Sequence, residues 1–404
     1  MRENGGGRAM KKKGAAARLL FIAAWIASLA ILSLTPLWGQ KDISETENRG
    51  LTHFPAMTVP GFVDGSFQDA LEKALGDQLL FSEEVRSTVR SAESAALDAE
   101  QEILYRLNPS LKSGYVQISP GYYAYGGDEH RLVEKPMPEA RCSGLQDFAE
   151  AINALDARRF LYFIENSRSV NFDRPEESRQ VFEEICRIFQ TDAAARFAVE
   201  DYADYCRWFY QTDHHWNHLG SYRGYREIMG MLKPEDRLLE PDAEVELPVV
   251  FNGSYARQTK SLRADEHFTV YSFSLPSHTE TLNGKRGVYG RMSAYLKGRY
   301  AEDSLTNHYA NCYGGEYGEI IYDFARPGAG SLLLIASSYS NPINGLIASH
   351  YDKTYVIDLR YYEEWAGRPF DIASYAAEKE IDDVLLLGDI EMFLGEASAE
   401  GGET

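Results

Sequence analysis

The sequence predicts an α/β protein: a three-layer α/β/α domain on a parallel sheet, preceded by an N-terminal transmembrane helix and a short helical lead. Three observations carry this. The carboxyl-terminal third alternates short apolar runs with amphipathic stretches. A run of about 20 residues near the amino terminus, Leu19 to Trp38, holds no charge. Between them, Phe67, Leu71, Leu75, Leu79 and Leu80 recur at helical spacing.

Taken in order, the chain opens with a basic segment (1–18) carrying Arg2, Arg8, Lys11, Lys12, Lys13 and Arg18. The apolar run at 19–38 is long enough to cross a bilayer core of ~30 Å, and its basic flank should stay inside. A cleaved signal peptide is the rival reading, but the run ends TPLWGQ with no clear small-x-small cleavage site. In both cases the chain after about Lys41 is expected outside the cytoplasm, with the protein held at the cell membrane by a single span if the run is retained. Residues 39–105 read as an extended and helical membrane-proximal lead, 106–394 as the α/β/α domain, and 395–404 as a disordered polar tail.

Within the domain, SLLLIA (331–336), TYVIDL (354–359) and DVLLLGD (383–389) are strands. The helices between them are NPINGLIASHY, with Asn341 as N-cap and Pro342 in the first turn, and DIASYAAEKE (371–380). Strand–helix–strand–helix–strand at this spacing means a parallel sheet with helices on its faces. FLYFI (160–164) adds a strand, and CRWFY (206–210) is a candidate for one more. Such sheets bind ligands beyond the carboxyl ends of their strands.

Composition narrows the partners. The chain has 404 residues and a net charge of −20. That charge repels phosphate backbones, so nucleic acid is excluded as a partner. Four cysteines (Cys142, Cys186, Cys206, Cys312) include no CxxC pair, which argues against a thiolate zinc cage. The compartment permits disulfides, but three pairings of four cysteines are open, as is the absence of any.

The chemistry-bearing stretches lie far apart in sequence. Ser338 falls in the turn after strand 331–336, where its hydroxyl points off the sheet edge and backbone N–H groups can face an oxyanion. A serine is inert without a base. QTDHHWNHLG (211–220) offers one. In an extended segment residues i and i+2 share a face, which puts Asp213 beside His215 and turns His214 away. The carboxylate would orient the imidazole, leaving its other nitrogen for the serine. Trp216 would wall the histidine from water, and Asn217 would start a helix buried through Leu219, Tyr222, Tyr225, Met229 and Leu232. A metal site built from Asp213, His214 and His218 is the competing reading; it needs both histidines on one helix, whereas Asn217 marks the helix start. The reading calls for no cofactor and no metal.

These residues resemble the DHHW proteins, relatives of the SGNH-hydrolase-like alginate O-acetyltransferases of cell envelopes. TDHHWN followed by LGSYRGY is similar to their signature. ETENRGLTHFP with GSFQDALEKALGDQLLF resembles their membrane-proximal entry, FNGSYA (251–256) their Gly-Ser segment, LLLIASSYSNP the nucleophile block, and YVIDLRYY (355–362) an Arg-Tyr strand end. The likeness runs from Ser44 to Leu394. It implies Ser338 as nucleophile, His215 as base and Asp213 as its orienting acid. The chain departs from many members at Ser337, where they carry Asp, and at Ala336, where they carry Gly or Lys.

The resulting expectation is an extracytoplasmic O-acyl, most simply O-acetyl, transferase or esterase acting on an envelope polysaccharide through an acyl-enzyme. Arg360 and Tyr361, beside the same sheet edge, are candidates to hold an acyl oxygen or an acidic sugar; an ion pair of Arg360 with Glu363 or Glu364 is the plain alternative. Gly253 is a candidate oxyanion donor and Asn341 a candidate polar contact. Because cytoplasmic acyl-CoA is out of reach, the resemblance implies a membrane-bound O-acyltransferase partner as acyl supplier. The alternative is a non-catalytic carbohydrate-binding or assembly protein with a degenerate site.

Overall fold

The computed structural model describes residues 40, 43–44, 49–78, 113–136, 146–174, 176–287, 305–315 and 317–393, with short stretches among 88–109 and 292–299. The expected membrane run 19–38, Cys142 and the tail from residue 394 lie outside the described residues. Among those described, no helix is long and apolar enough to cross a membrane. The chain divides into two compact units, residues 1–93 and 94–404.

In the first unit, β1 (Ile43–Ser44) pairs antiparallel with β2 (Arg49–Gly50), followed by α1 (Val59–Asp64) and α2 (Ser66–Gln78). Thr58 caps α1 through its hydroxyl, and Gly65 ends it in the left-handed conformation that glycine adopts without strain. The helical spacing of Phe67, Leu71 and Leu75 is realised in α2, while Leu79 and Leu80 lie outside the described residues.

The second unit runs β3 (Tyr115–Ser119), β4 (Tyr122–Tyr125), β5 (Val133–Glu134), α3 (Gln146–Asn153), β6 (Arg158–Ile164), α4 (Glu176–Ile188), β7 (Ala193–Phe197), α5 (Tyr202–Trp208) and α6 (His218–Leu232). Then come β8 (Ala243–Val250), α7 (Ser254–Thr259), β9 (His267–Ser272), β10 (Thr279–Leu282), β11 (Lys285–Arg286), α8 (His308–Tyr313), β12 (Glu319–Asp323) and β13 (Ser331–Ala336). After a 3-10 turn at Ser338–Ser340 the chain closes with α9 (Asn344–Ala348), β14 (Lys353–Ile357), α10 (Leu359–Ala366), α11 (Ile372–Lys379) and β15 (Asp383–Gly388).

The main sheet has eight strands in the order β11-β10-β12-β14-β13-β15-β6-β7. Strands β14, β13, β15, β6 and β7 are mutually parallel. Strands β12, β10 and β11 extend that edge in antiparallel pairing, so the sheet is mixed where the sequence predicted parallel. Both faces are covered, as a parallel sheet requires. Phe160, Tyr162, Ile164, Leu332, Leu334, Leu385 and Leu387 face the side packed by α6 and α9. Leu161, Phe163, Leu333, Ile335, Val384 and Leu386 face the side packed by α3, α4 and α11. Alternate residues of one strand therefore enter opposite layers, which is why these strands read as unbroken apolar runs.

Two predicted elements differ. Cys206–Trp208 belong to α5, a helix capped by Asp201, and not to a strand; the fifth parallel strand is the alanine-rich β7. Asn341 does not cap a helix. It ends the 3-10 turn that Ser337 begins, and α9 starts three residues later. The three described cysteines, Cys186, Cys206 and Cys312, are free thiols.

Candidate active site

Ser338 sits where the sequence puts it, just past the carboxyl end of β13 and half-buried. The loop bearing Asp213 and His215 joins α5 to α6. Its ends are pinned by Asn217 N–H donating to Trp208 C=O at 2.8 Å and Tyr210 N–H to His215 C=O at 3.2 Å. Buried Arg131 donates to the carbonyls of Phe209 and Tyr210 at 2.9 and 2.8 Å, neutralising the partial charges this tight loop turns inward. Asn217 caps α6 as predicted, its side chain accepting from the Leu219 and Gly220 amides.

This folding brings the two segments together. His215 Nε2 lies 2.8 Å from Ser338 Oγ, and His215 Nδ1 lies 2.6 Å from Asp213 Oδ1. Asp213 Oδ1 also accepts from the His215 N–H at 3.1 Å, and Oδ2 from the Ser254 N–H at 2.7 Å. Burial alone would raise the carboxyl, but the imidazoles of His215 and His214, the hydrogen bonds and nearby Arg257 hold it far below its ordinary range. Asp213 is thus an ionised, fully satisfied acceptor that fixes which nitrogen of His215 faces the serine.

Gly253 supports the acid and is not an oxyanion donor. Its N–H donates to Thr212 Oγ1 at 2.9 Å. A Cβ there would lie 2.4 Å from Asp213 Cβ and 2.5 Å from Thr212 O, so only glycine lets α7 approach closely enough to cap the carboxylate. Trp216 likewise does not wall the histidine. It is fully buried, donates from Nε1 to Tyr339 C=O at 3.0 Å, and packs on Gly224, where a Cβ would meet its ring at 2.5 Å. That contact turns α6 so that Gly220, Ser221, Gly224, Tyr225 and Ile228 are buried, while Leu219 and Tyr222 are only half-buried.

Three residues that sequence reasoning missed complete the site. Tyr309 of α8 stacks on His215, centroids 3.8 Å apart at 12°, and donates to Ser338 C=O at 2.9 Å. No local pattern flags it, because its role exists only across the fold. Tyr339, next to the serine, donates to His214 C=O at 2.6 Å and accepts from Asn166 at 2.9 Å; Asn166 also donates to Asp389 at 2.6 Å. Ser254 hides in the FNGSYA stretch beside Gly253. With Trp216, these contacts cross-brace the serine turn against the histidine loop.

The side chains of the remaining predicted residues make no bond to Ser338 among the described residues, although the Asn341 N–H donates to Ser338 C=O at 3.2 Å. Arg360 and Tyr361 begin α10 at the predicted sheet edge. The guanidinium binds Asp358 at 2.9 and 2.6 Å, not Glu363 or Glu364, and lies 5.2 Å over the Tyr361 ring. Asn341 Nδ2 donates to Gly314 C=O at 3.2 Å. His214 does not turn away: its ring lies 3.8 Å from that of His215, and its Nδ1 is 2.9 Å from Ser254 Oγ. His218 does turn away, toward Tyr271 and Glu244, so the metal set Asp213, His214, His218 is not assembled. Asp213, His214 and His215 do place three ligand atoms within 4.8 Å. To close on an ion, however, they would have to give up bonds to one another, to Ser338 or to Ser254, and the donor set fits hydrogen bonding better.

No family model and no curated protein matches this chain. Solved structures do. A DHHW family protein from Eubacterium siraeum aligns over 70% of this chain and 94% of its own, at 18% identity and TM-score 0.53. This chain shares the fold of a DHHW family protein. Bacillus cereus PatB1 is similar over 67% of this chain, at TM-score 0.50, both with a sulfonyl adduct (17% identity, 95% of that chain) and without one (16%, 96%). The resemblance first drawn from TDHHWN thus extends to the architecture around it.

Proposed function

We propose that this chain is an extracytoplasmic O-acyltransferase or esterase of the SGNH-like kind, moving an acetyl group on a cell-envelope polysaccharide. The observation that carries the proposal is the unbroken Ser338–His215–Asp213 hydrogen-bonded chain, closed across 123 positions of sequence. In this reading Ser338 Oγ attacks the acyl carbonyl while His215 Nε2 takes its proton, and Asp213 stabilises the imidazolium. The tetrahedral oxyanion collapses, the donor's leaving group departs with the proton from His215, and an acyl-Ser338 ester remains. A sugar hydroxyl then attacks that ester, giving its proton to His215; Ser338 leaves and recovers it. Water in place of the sugar gives the esterase outcome. The Ser338 N–H, for which no acceptor occurs among the described residues, would donate to the oxyanion.

The acyl group would come from a membrane-bound O-acyltransferase, since the domain is read as lying outside the cytoplasm on an anchor at 19–38. The test uses a chromogenic acetyl ester and an aryl sulfonyl fluoride, a reagent class that captures nucleophilic serines. Wild-type protein should release chromophore and gain one sulfonyl group at Ser338; Ser338→Ala should do neither while melting at the wild-type temperature. Glycan binding without serine-dependent turnover would instead favour the non-catalytic carbohydrate-binding alternative.

A further inference from the structure

The mechanism leaves one imidazole of the TDHHWN stretch unused. His214 is locked on three sides: Nδ1 meets Ser254 Oγ at 2.9 Å, its carbonyl accepts from Tyr339 at 2.6 Å, and its ring lies against His215 and edge-on to Tyr339. Yet its side chain keeps 27% of its surface exposed, against 7% for His215. Its Nε2 makes no hydrogen bond among the described residues and is not enclosed, unlike the buried unpaired atoms elsewhere in the molecule. A side chain this well fixed, with one nitrogen left facing out beside the reacting pair, is built to touch what enters.

We propose that His214 is a second substrate-contacting residue, whose Nε2 hydrogen-bonds a hydroxyl neighbouring the one that is acylated in a polyhydroxylated acceptor. The inference rests on the acyl-transfer reading above and names its acceptor class. Charge and geometry select the partner. Burial, with neighbouring His215, Arg168 and Arg360 pressing the same way against the pull of Asp213, holds the ring's pKa well below its ordinary value, so Nε2 is not a cation seeking a carboxylate. Whichever way the Ser254 hydroxyl points, Nε2 is left as one donor or one acceptor, and a hydroxyl satisfies both cases. With ring centroids 3.8 Å apart, two adjacent hydroxyls of one sugar can reach His214 and His215 together. His214 would thereby orient the acceptor without taking the transferred proton.

Two amide substitutions separate this role from a structural one. Asn at 214 reproduces Nδ1 and keeps the Ser254 contact but has nothing at Nε2; Gln reaches the Nε2 position. The assay uses p-nitrophenyl acetate as donor and a chito-oligosaccharide as acceptor, following the nitrophenol burst, oligosaccharide acetylation and oligosaccharide binding by calorimetry. His214→Asn should raise the acceptor KM roughly tenfold and weaken binding by a similar factor, as for one lost hydrogen bond, and should reduce the burst by much less than it reduces transfer. His214→Gln should recover most of both. The inference is overturned if His214→Asn acetylates and binds the oligosaccharide as wild type does, if it shrinks the burst in step with transfer, or if wild type shows a burst but neither acetylates nor binds the sugar. Absence of any burst in wild type would instead remove the acyl-transfer reading, and the His214 contact would then stand or fall on the binding comparison.

Discussion

The two ends of the central sheet offer different kinds of surface. A cavity of about 1090 Å³ lies at the amino ends of β6, β13, β14 and β15, lined by residues including Arg158, Asp192, Lys353, Asp382 and Asp383. Much of its polar lining is bonded within itself. Arg158 grips Asp383 with two bonds of 2.7 Å, Tyr351 donates to the same carboxylate, and Asp382 accepts from the Ser331 amide. At the carboxyl ends the groups are fewer and chained: a carboxylate bonded to an imidazole, that imidazole to a serine, and a second imidazole stacked beside them. Volume therefore does not mark the chemistry here. Strand polarity does, because in a parallel sheet the loops leaving the carboxyl ends converge on one crevice.

Substitutions at the two ends should break apart accordingly. The largest effect belongs to Ser338→Ala, which should cut ester turnover roughly 10⁴-fold or more with folding intact, measured as chromophore release. Asp213→Asn should follow, at about 10³–10⁴-fold, because the amide favours the wrong tautomer of His215. Its turnover within tenfold of wild type would dismiss the acid's role. Gly253→Ala should cost about 10²-fold in turnover and roughly 1–3 kcal/mol in stability, since the new methyl displaces Asp213; urea melts and rates read both. At the other end, Asp383→Asn should lower stability by about 1–3 kcal/mol by stranding buried donors, with turnover unchanged. Loss of turnover there would contradict the division drawn between the ends.

The smallest expected effect is on pH dependence. Burial depresses the His214 pKa well below its ordinary value, so the folded chain leaves the ring neutral where the unfolded chain binds a proton. Stability from this group is then complete above about pH 6.5 and declines as pH falls below that. His214→Gln removes the titration, so its unfolding free energy should fall less steeply between about pH 6.5 and 5 than that of the wild type. Parallel curves would show that the ring titrates normally.

Strands 331–336 and 383–388 were legible almost to the residue, because a strand buried on both faces reads as a continuous apolar run with clear ends. The run 206–210 misled, since four apolar or aromatic residues around Arg207 carry no period that separates strand from helix, and the deciding cap at Asp201 lies upstream. Strand β7, AAARF, showed no β-branched signature and takes its conformation from pairing with β6. The antiparallel extension by β10–β12 was missed although Thr279, Thr281, Ile320 and Ile321 are strand formers, because pairing direction is set across the sheet and not within a short run.

At the site, the sequence by itself determined the chemistry: which hydroxyl ends a strand, which imidazole follows an acid by two residues, and where Asn217 must open a helix. Those are local rules of backbone geometry, readable over a few positions. The tertiary structure alone decided what meets across the fold. It turned Gly253 from a donor to the substrate into a close support for Asp213, sent Trp216 into the core, swung His214 back beside His215, and brought in Tyr309. Such roles depend on groups 29 to 123 positions apart sharing a few ångströms, and no local pattern encodes that distance.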